Sequence, residues 1–123
     1  MLKVLSKGFP IIMVLGVLLW ALPTFADVTA DITAENTFTS ATSPKSNPKD
    51  NGVGHLTISI SGTWVGSVTL QRSFDAGSTW VDVKSYTSND EESLYDPTAG
   101  IQYRIGIKTG NYTSGTASVR LAK

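Results

Sequence analysis

Apolar and polar residues alternate with a period of two along most of the chain that follows residue 26. Alternation of this kind predicts strands that bury one face and leave the other wet, which is typical of antiparallel sheets. The 3.6-residue period of an amphipathic helix is absent from this part of the sequence. Glycine, proline, asparagine and aspartate between the alternating runs indicate turns. The predicted strands are 28–35, 56–61, 64–72, 79–86, 93–95, 101–108 and 117–121.

This series of strands predicts the fold class. About seven short strands in ~100 residues is the count expected of an antiparallel immunoglobulin-like or fibronectin-III-like β-sandwich. A small jelly roll or barrel is the alternative. The pattern places Val81 and Val83 inward on their strand, and it predicts turns at Ser61-Gly62 and Ser114-Gly115.

The first 26 residues have the pattern of an export signal. Lys3 and Lys7 precede a run of 14 residues, 9–22, that carries no charge, and Thr24-Phe25-Ala26 then supplies a small-residue cleavage site. The run is shorter than the ~20 residues that span a bilayer, which disfavours a retained membrane anchor. We therefore expect cleavage after Ala26, no stable membrane anchor, and export to the periplasm or the extracellular space.

Charge and cysteine content narrow the function of the remaining single domain, residues 27–123. The leader carries two of the ten basic residues and none of the ten acidic ones, so the mature chain has a net charge near −2. Such a chain has no basic field to attract nucleic acid, and we expect no nucleic-acid partner. The chain has no cysteine, so its stability must come from the core rather than from disulfides.

The residues Ser73, Asp75, Gly77, Thr79 and Trp80 form the pattern S-x-D-x-G-x-T-W. The aspartate can accept backbone N–H groups in an Asx-type turn, and the glycine supplies a positive φ. The tryptophan then buries aromatic surface at the start of the returning strand. The pattern resembles the Asp-box, a turn motif repeated in sialidase-type propellers and found singly in other β proteins. It predicts a structural hairpin whose loss lowers stability and leaves surface binding unchanged.

A second resemblance covers residues 61–121. The segments 61–75, 79–83, 99–104 and 108–115 resemble small immunoglobulin- or fibronectin-III-like β-sandwich proteins from tailed-phage structural gene clusters. This resemblance implies a non-enzymatic accessory role on a virion or another surface, with capsid contact or assembly into a homo-oligomer.

Enzyme chemistry is not expected of this chain. A sialidase propeller needs several four-stranded blades, which a mature chain of 97 residues cannot supply. His55 is the single histidine, and no G-x-S-x-G elbow accompanies it. One histidine without cysteine cannot form a usual zinc site. We therefore predict no catalytic residue, no metal and no cofactor.

The sequence therefore favours an exported interaction module that binds a protein surface of a virion or an envelope. The alternative is a carbohydrate-binding module, in which Tyr112, Trp80 and Tyr86 form an aromatic platform. The polar, proline-containing segment 40–52 is either a plain surface loop or a loop that contacts the partner. The candidate ligand contacts are Tyr86, Arg104, Tyr112 and Arg120.

Overall fold

The structure is a computed structural model, and it describes residues 27–44 and 54–123. The predicted export signal and residues 45–52 of the polar segment lie outside the described residues. The described residues contain no helix that is long and apolar enough to cross a membrane.

Eight strands form two antiparallel four-stranded sheets within the described residues. Sheet I has the order β1-β8-β3-β6, and sheet II has the order β2-β7-β4-β5. The strands are β1 (Val28–Ile32), β2 (Thr37–Phe38), β3 (His55–Gly66), β4 (Val68–Ser73), β5 (Val81–Tyr86), β6 (Asp90–Tyr95), β7 (Gln102–Ile107) and β8 (Tyr112–Ala122).

The predicted all-β antiparallel sandwich is confirmed, and its strand order is that of the jelly-roll alternative. Among the described strands, each consecutive pair except β4 and β5 has its two members in different sheets. The first strand, β1, pairs with the last, β8. In an immunoglobulin-like sandwich the first strand instead lies beside the second. An eight-stranded double sheet of this kind is a jelly roll. Strand order depends on which distant strands pair, and local alternation does not encode that choice.

The core lies between the two sheets and consists of the inward residues of their strands. It contains alternate residues of β3, β7 and β8, in agreement with the predicted period of two. These buried residues are Leu56, Ile58, Ile60, Tyr103, Ile105, Ile107, Ala117, Val119 and Leu121.

Neither Ser61-Gly62 nor Ser114-Gly115 forms the predicted turn. Strand β3 continues to Gly66, and its pairing with β8 runs through both dipeptides. After β3, the chain crosses from sheet I to sheet II at Ser67. A Cβ atom on Gly62 or Gly115 would collide with a carbonyl oxygen of the partner strand. These glycines therefore allow close approach within a long ladder instead of ending it.

The predicted inward orientation of Val81 and Val83 is also wrong. Val81 is 47% exposed and Val83 is 41% exposed, whereas Tyr86 is 4% exposed and forms the buried anchor of β5. Strand β5 lies at the edge of sheet II, and its pairing with β4 shifts register between Leu70 and Gln71. An irregularity of this kind rotates the side chains of an edge strand, so the valines lose their place in the core.

Candidate binding site on the outer face of sheet II

The Asp-box residues form the turn that joins β4 to β5. The hydroxyl of Ser73 donates to Asp75 Oδ1 at 2.8 Å, and it accepts the backbone N–H of Gly77 at 2.8 Å. Asp75 also accepts the backbone N–H of Thr79 at 2.9 Å and the Thr79 hydroxyl at 2.5 Å. The turn thus satisfies its own polar groups, as the motif predicts.

The backbone and electrostatics of this turn agree with the residue types present. Ala76 and Gly77 have φ values of 58° and 90°, which a turn this tight requires. The hydroxyl and backbone N–H of Thr79, together with the Ser73 hydroxyl, lower the pKa of Asp75 to about 2. The carboxylate is therefore charged at neutral pH and acts as the acceptor at the centre of the turn.

Trp80 folds back over its own turn and contacts Arg104 on β7, which lies beyond β4 in the sheet. A Cβ atom built on Gly77 would lie 3.5 Å from Cζ2 of Trp80. The Arg104 guanidinium carbon lies 4.4 Å from the centre of the Trp80 ring and 4.1 Å from the centre of the Phe38 ring. The cation therefore lies over the faces of two aromatic rings, an arrangement that the ring quadrupoles favour.

Strand pairing brings these three side chains together. Arg104 alternates on β7 with the buried Tyr103 and Ile105, so it points away from the core. Strand β2 pairs with β7 and places Phe38 opposite Gly106. A Cβ atom on Gly106 would lie 2.8 Å from the Phe38 ring, so the glycine leaves room for the stack.

A chain of polar contacts continues from Arg104 across the same face. Arg104 Nε donates to Gln71 Oε1 at 2.8 Å, and Gln71 Nε2 donates to Asp82 Oδ1 at 2.9 Å. Lys108 Nζ donates to Asp82 Oδ2 at 2.6 Å, and this contact, with that from Gln71, lowers the pKa of Asp82. Burial lowers the pKa of Arg104, because desolvation disfavours the charged guanidinium.

Arg104 borders a concavity of about 250 Å³ on this face. Its lining combines amide, hydroxyl, aromatic and cationic groups and contains no carboxylate. The lining residues are Asn36, Phe38, Gln71, Arg104, Lys108 and Thr109.

A larger concavity, of about 350 Å³, lies on the outer face of sheet I. Short residues such as Ser59, Ser61 and Ser118 line most of it, and no aromatic ring contributes. Its cation, Arg120, pairs with Asp27 at 3.4 Å. The site on sheet II carries the richer chemistry, because it combines aromatic rings, amides and an oriented cation.

The four candidate ligand contacts from the sequence lie apart. Tyr86 is buried and donates to Glu92 at 3.2 Å, whereas the Tyr112 hydroxyl, at the start of β8, donates to Gly115 O at 2.9 Å. Arg104 and Arg120 lie on opposite faces of the sandwich. Trp80, Tyr86 and Tyr112 therefore do not form a joint aromatic platform.

The sequence did not single out Phe38, Gln71, Asp82 or Lys108. Strand alternation gave a signal for Gln71, Asp82 and Lys108, because each occupies an outward position in the predicted pattern. No local signal pairs Phe38 with β7, because that contact depends on the long-range pairing of β2.

Within the described part of the chain, no three side chains of the metal-ligating types come close enough to hold a metal ion. No protein-family model, curated protein or solved structure matches the chain. Function is therefore inferred from the geometry of the site.

Proposed function

We propose that the protein is an exported, non-enzymatic interaction module that binds a protein surface of a virion or an envelope through the outer face of sheet II. The stack of Phe38, Arg104 and Trp80 carries this proposal. Tryptophan and arginine are enriched at the centres of protein interfaces, where partly desolvated side chains supply most of the binding energy. Sheet II holds this cluster in place. Phe38 lies on β2, Arg104 lies on β7, and Trp80 directly precedes β5. The fourth strand, β4, contributes Gln71, which accepts a hydrogen bond from Arg104.

A carbohydrate-binding module is the second candidate, favoured by the amides of Asn36 and Gln71 beside the Phe38 ring. Sugar binding by stacking requires open aromatic faces. Arg104 covers one face of Phe38 and one of Trp80, and Tyr86 and Tyr112 lie elsewhere. The geometry therefore supports a protein partner better.

Binding of the labelled mature chain to envelope and virion fractions of the source strain tests the proposal. One portion of each fraction is treated with protease and another with periodate, which cleaves the vicinal diols of sugars. We expect binding to disappear after protease treatment and to survive periodate. Binding that survives protease and disappears with periodate would establish the glycan alternative instead.

A matched pair of blocking variants locates the binding face. Thr109→Trp fills the concavity beside Arg104, and Thr29→Trp places the same bulk in the concavity of sheet I. We expect at least about tenfold weaker binding for Thr109→Trp, equivalent to about 1.4 kcal/mol, and unchanged binding for Thr29→Trp. Equal effects of the two substitutions would contradict the assignment of the face. Sedimentation of the purified chain over a concentration series measures whether a second copy is the bound protein.

A further inference from the structure

The Arg104 guanidinium is held in one plane before any partner binds. The Arg104 guanidinium carbon lies 4.1 Å from the centre of the Phe38 ring and 4.4 Å from that of the Trp80 ring, and Gln71 accepts its Nε–H at 2.8 Å. A side chain as flexible as arginine normally loses rotamer freedom when it binds. Here the fold has already restricted that freedom, so less is lost on binding.

The two Nη groups are the donors that Arg104 has left. Among the described residues, Arg104 makes its side-chain hydrogen bond through Nε alone. The two ring contacts and the Nε hydrogen bond hold the guanidinium in place, so a ligand that binds Arg104 uses its Nη groups. Two parallel N–H groups in one plane match the two oxygens of a carboxylate.

The charges around the concavity also select an anion. Arg104 and Lys108 line it, and the carboxylate that pairs with Lys108, Asp82, is already occupied. Its Oδ1 accepts from Gln71 at 2.9 Å, and its Oδ2 accepts from Lys108 at 2.6 Å. The positive charge of Arg104 is therefore not neutralised by a direct ion pair within the described residues.

We propose that Arg104 binds the carboxylate of an aspartate or glutamate side chain of the partner protein, through one hydrogen bond from each Nη group. This inference rests on the proposed function. It names the chemical group that the partner must present at the centre of its interface.

Two capped peptides that differ in one group test the inference on the unmodified protein. One is acetyl-Gly-Glu-Gly-amide, and the other carries glutamine in place of glutamate. The readout is the NMR shift of the Arg104 Nε–H and of the Trp80 indole N–H. We expect saturable shifts with the glutamate peptide, with a dissociation constant in the millimolar range, and at least about tenfold weaker binding of the glutamine peptide. Equal binding of the two peptides would overturn the inference.

Arginine-to-lysine substitutions test the role of the planar fork. Arg104→Lys keeps a positive charge but cannot donate two parallel hydrogen bonds, and Arg120→Lys is the control on the opposite face. We expect Arg104→Lys to lose saturable binding and Arg120→Lys to keep it. Retention of peptide binding by Arg104→Lys, in a variant whose NMR spectrum shows the fold intact, would overturn the inference.

Glucuronate tests whether the carboxylate comes from a sugar instead of a protein, and glucose, which has no carboxylate, is its control. Saturable binding of glucuronate, together with none of the glutamate peptide, would overturn the assignment to a protein side chain. If Thr109→Trp blocks attachment to the partner fraction while the glutamate and glutamine peptides bind equally, the proposed function stands and the carboxylate inference fails.

Discussion

At the scale of single residues, Asp75 affects both the turn and the proposed binding site, although its side chain is exposed. Its two oxygens accept three hydrogen bonds from Ser73 and Thr79, and the turn that they close positions Trp80 against Arg104. The motif alone predicts an effect on stability and none on binding. Because Trp80 contacts Arg104 in the proposed binding site, we now expect a change in both stability and binding.

The variant Asp75→Ala is expected to lower the melting temperature by about 5 °C, because the three hydrogen bonds are lost. Partner binding should weaken as well, since Trp80 loses its support. Ser78→Ala is the control, because Ser78 is an exposed residue of the same turn. Differential scanning calorimetry measures the shift, and equal melting temperatures for the two variants would contradict the role of Asp75.

The lowered pKa of Asp75 predicts a pH dependence of stability. The folded carboxyl has a pKa of about 2 against an ordinary value of 3.8, so between these values the unfolded chain binds the extra proton. Stability from this group is therefore complete above about pH 4, falls as the pH drops, and is lost below about pH 2. Urea unfolding at pH 5, 4, 3 and 2 should show a smaller decline for Asp75→Asn than for the wild type. Parallel declines would show that Asp75 does not cause the dependence.

At the scale of strands, the β3–β8 ladder depends on glycine for space. Gly115 and Gly110 have nearly equal φ values of 85° and 86°. A Cβ atom on Gly115 would collide with Thr63 O, whereas a Cβ atom on Gly110 would meet nothing within 4 Å. The two positions therefore differ in space and not in backbone conformation.

Alanine at these two glycines separates the effects of conformation and space. Gly110→Ala is expected to cost about 1–2 kcal/mol, the strain of a left-handed residue. Gly115→Ala should cost at least about 2 kcal/mol more, because the ladder must open to admit the methyl group. Chemical denaturation measures both free energies of unfolding. A Gly115→Ala variant as stable as Gly110→Ala would show that the ladder is looser than described.

The difference between local and long-range information explains what the sequence could predict. Alternation predicted the inward residues of β3, β7 and β8, and the Asp-box spacing predicted the β4–β5 turn. The same reasoning failed on β5, where an edge position and a register shift decide which side chains are buried. It also placed turns at Gly62 and Gly115, because a glycine that allows close approach looks the same in sequence as one that forms a turn. In the site, the sequence predicted Arg104 as a ligand contact, but its partner Phe38 comes from a pairing between distant segments.

At the scale of the whole molecule, most strand pairs join distant parts of the chain. Val28 pairs with Leu121, and Thr37 pairs with Ile107. Among the strands in residues 27–44 and 54–123, only β4 and β5 are both consecutive in the chain and paired with each other. Closing such long loops is entropically costly before the contacts form.

This topology predicts slow folding. We expect a chain of residues 27–123 to refold in milliseconds to seconds, as other proteins dominated by non-local strand pairing do. Stopped-flow fluorescence of Trp64 and Trp80, which lie on different sheets, follows the process. Refolding within microseconds would contradict the order of strands given for the two sheets.

The hairpin that joins β4 to β5 has a further consequence for substitutions around it. Ser73, Asp75 and Thr79 satisfy one another inside the turn, so the hairpin makes few demands on the fold that surrounds it. Exposed residues beside the turn can therefore change without breaking its hydrogen bonds. The turn thus fixes the position of Trp80 from within the hairpin itself.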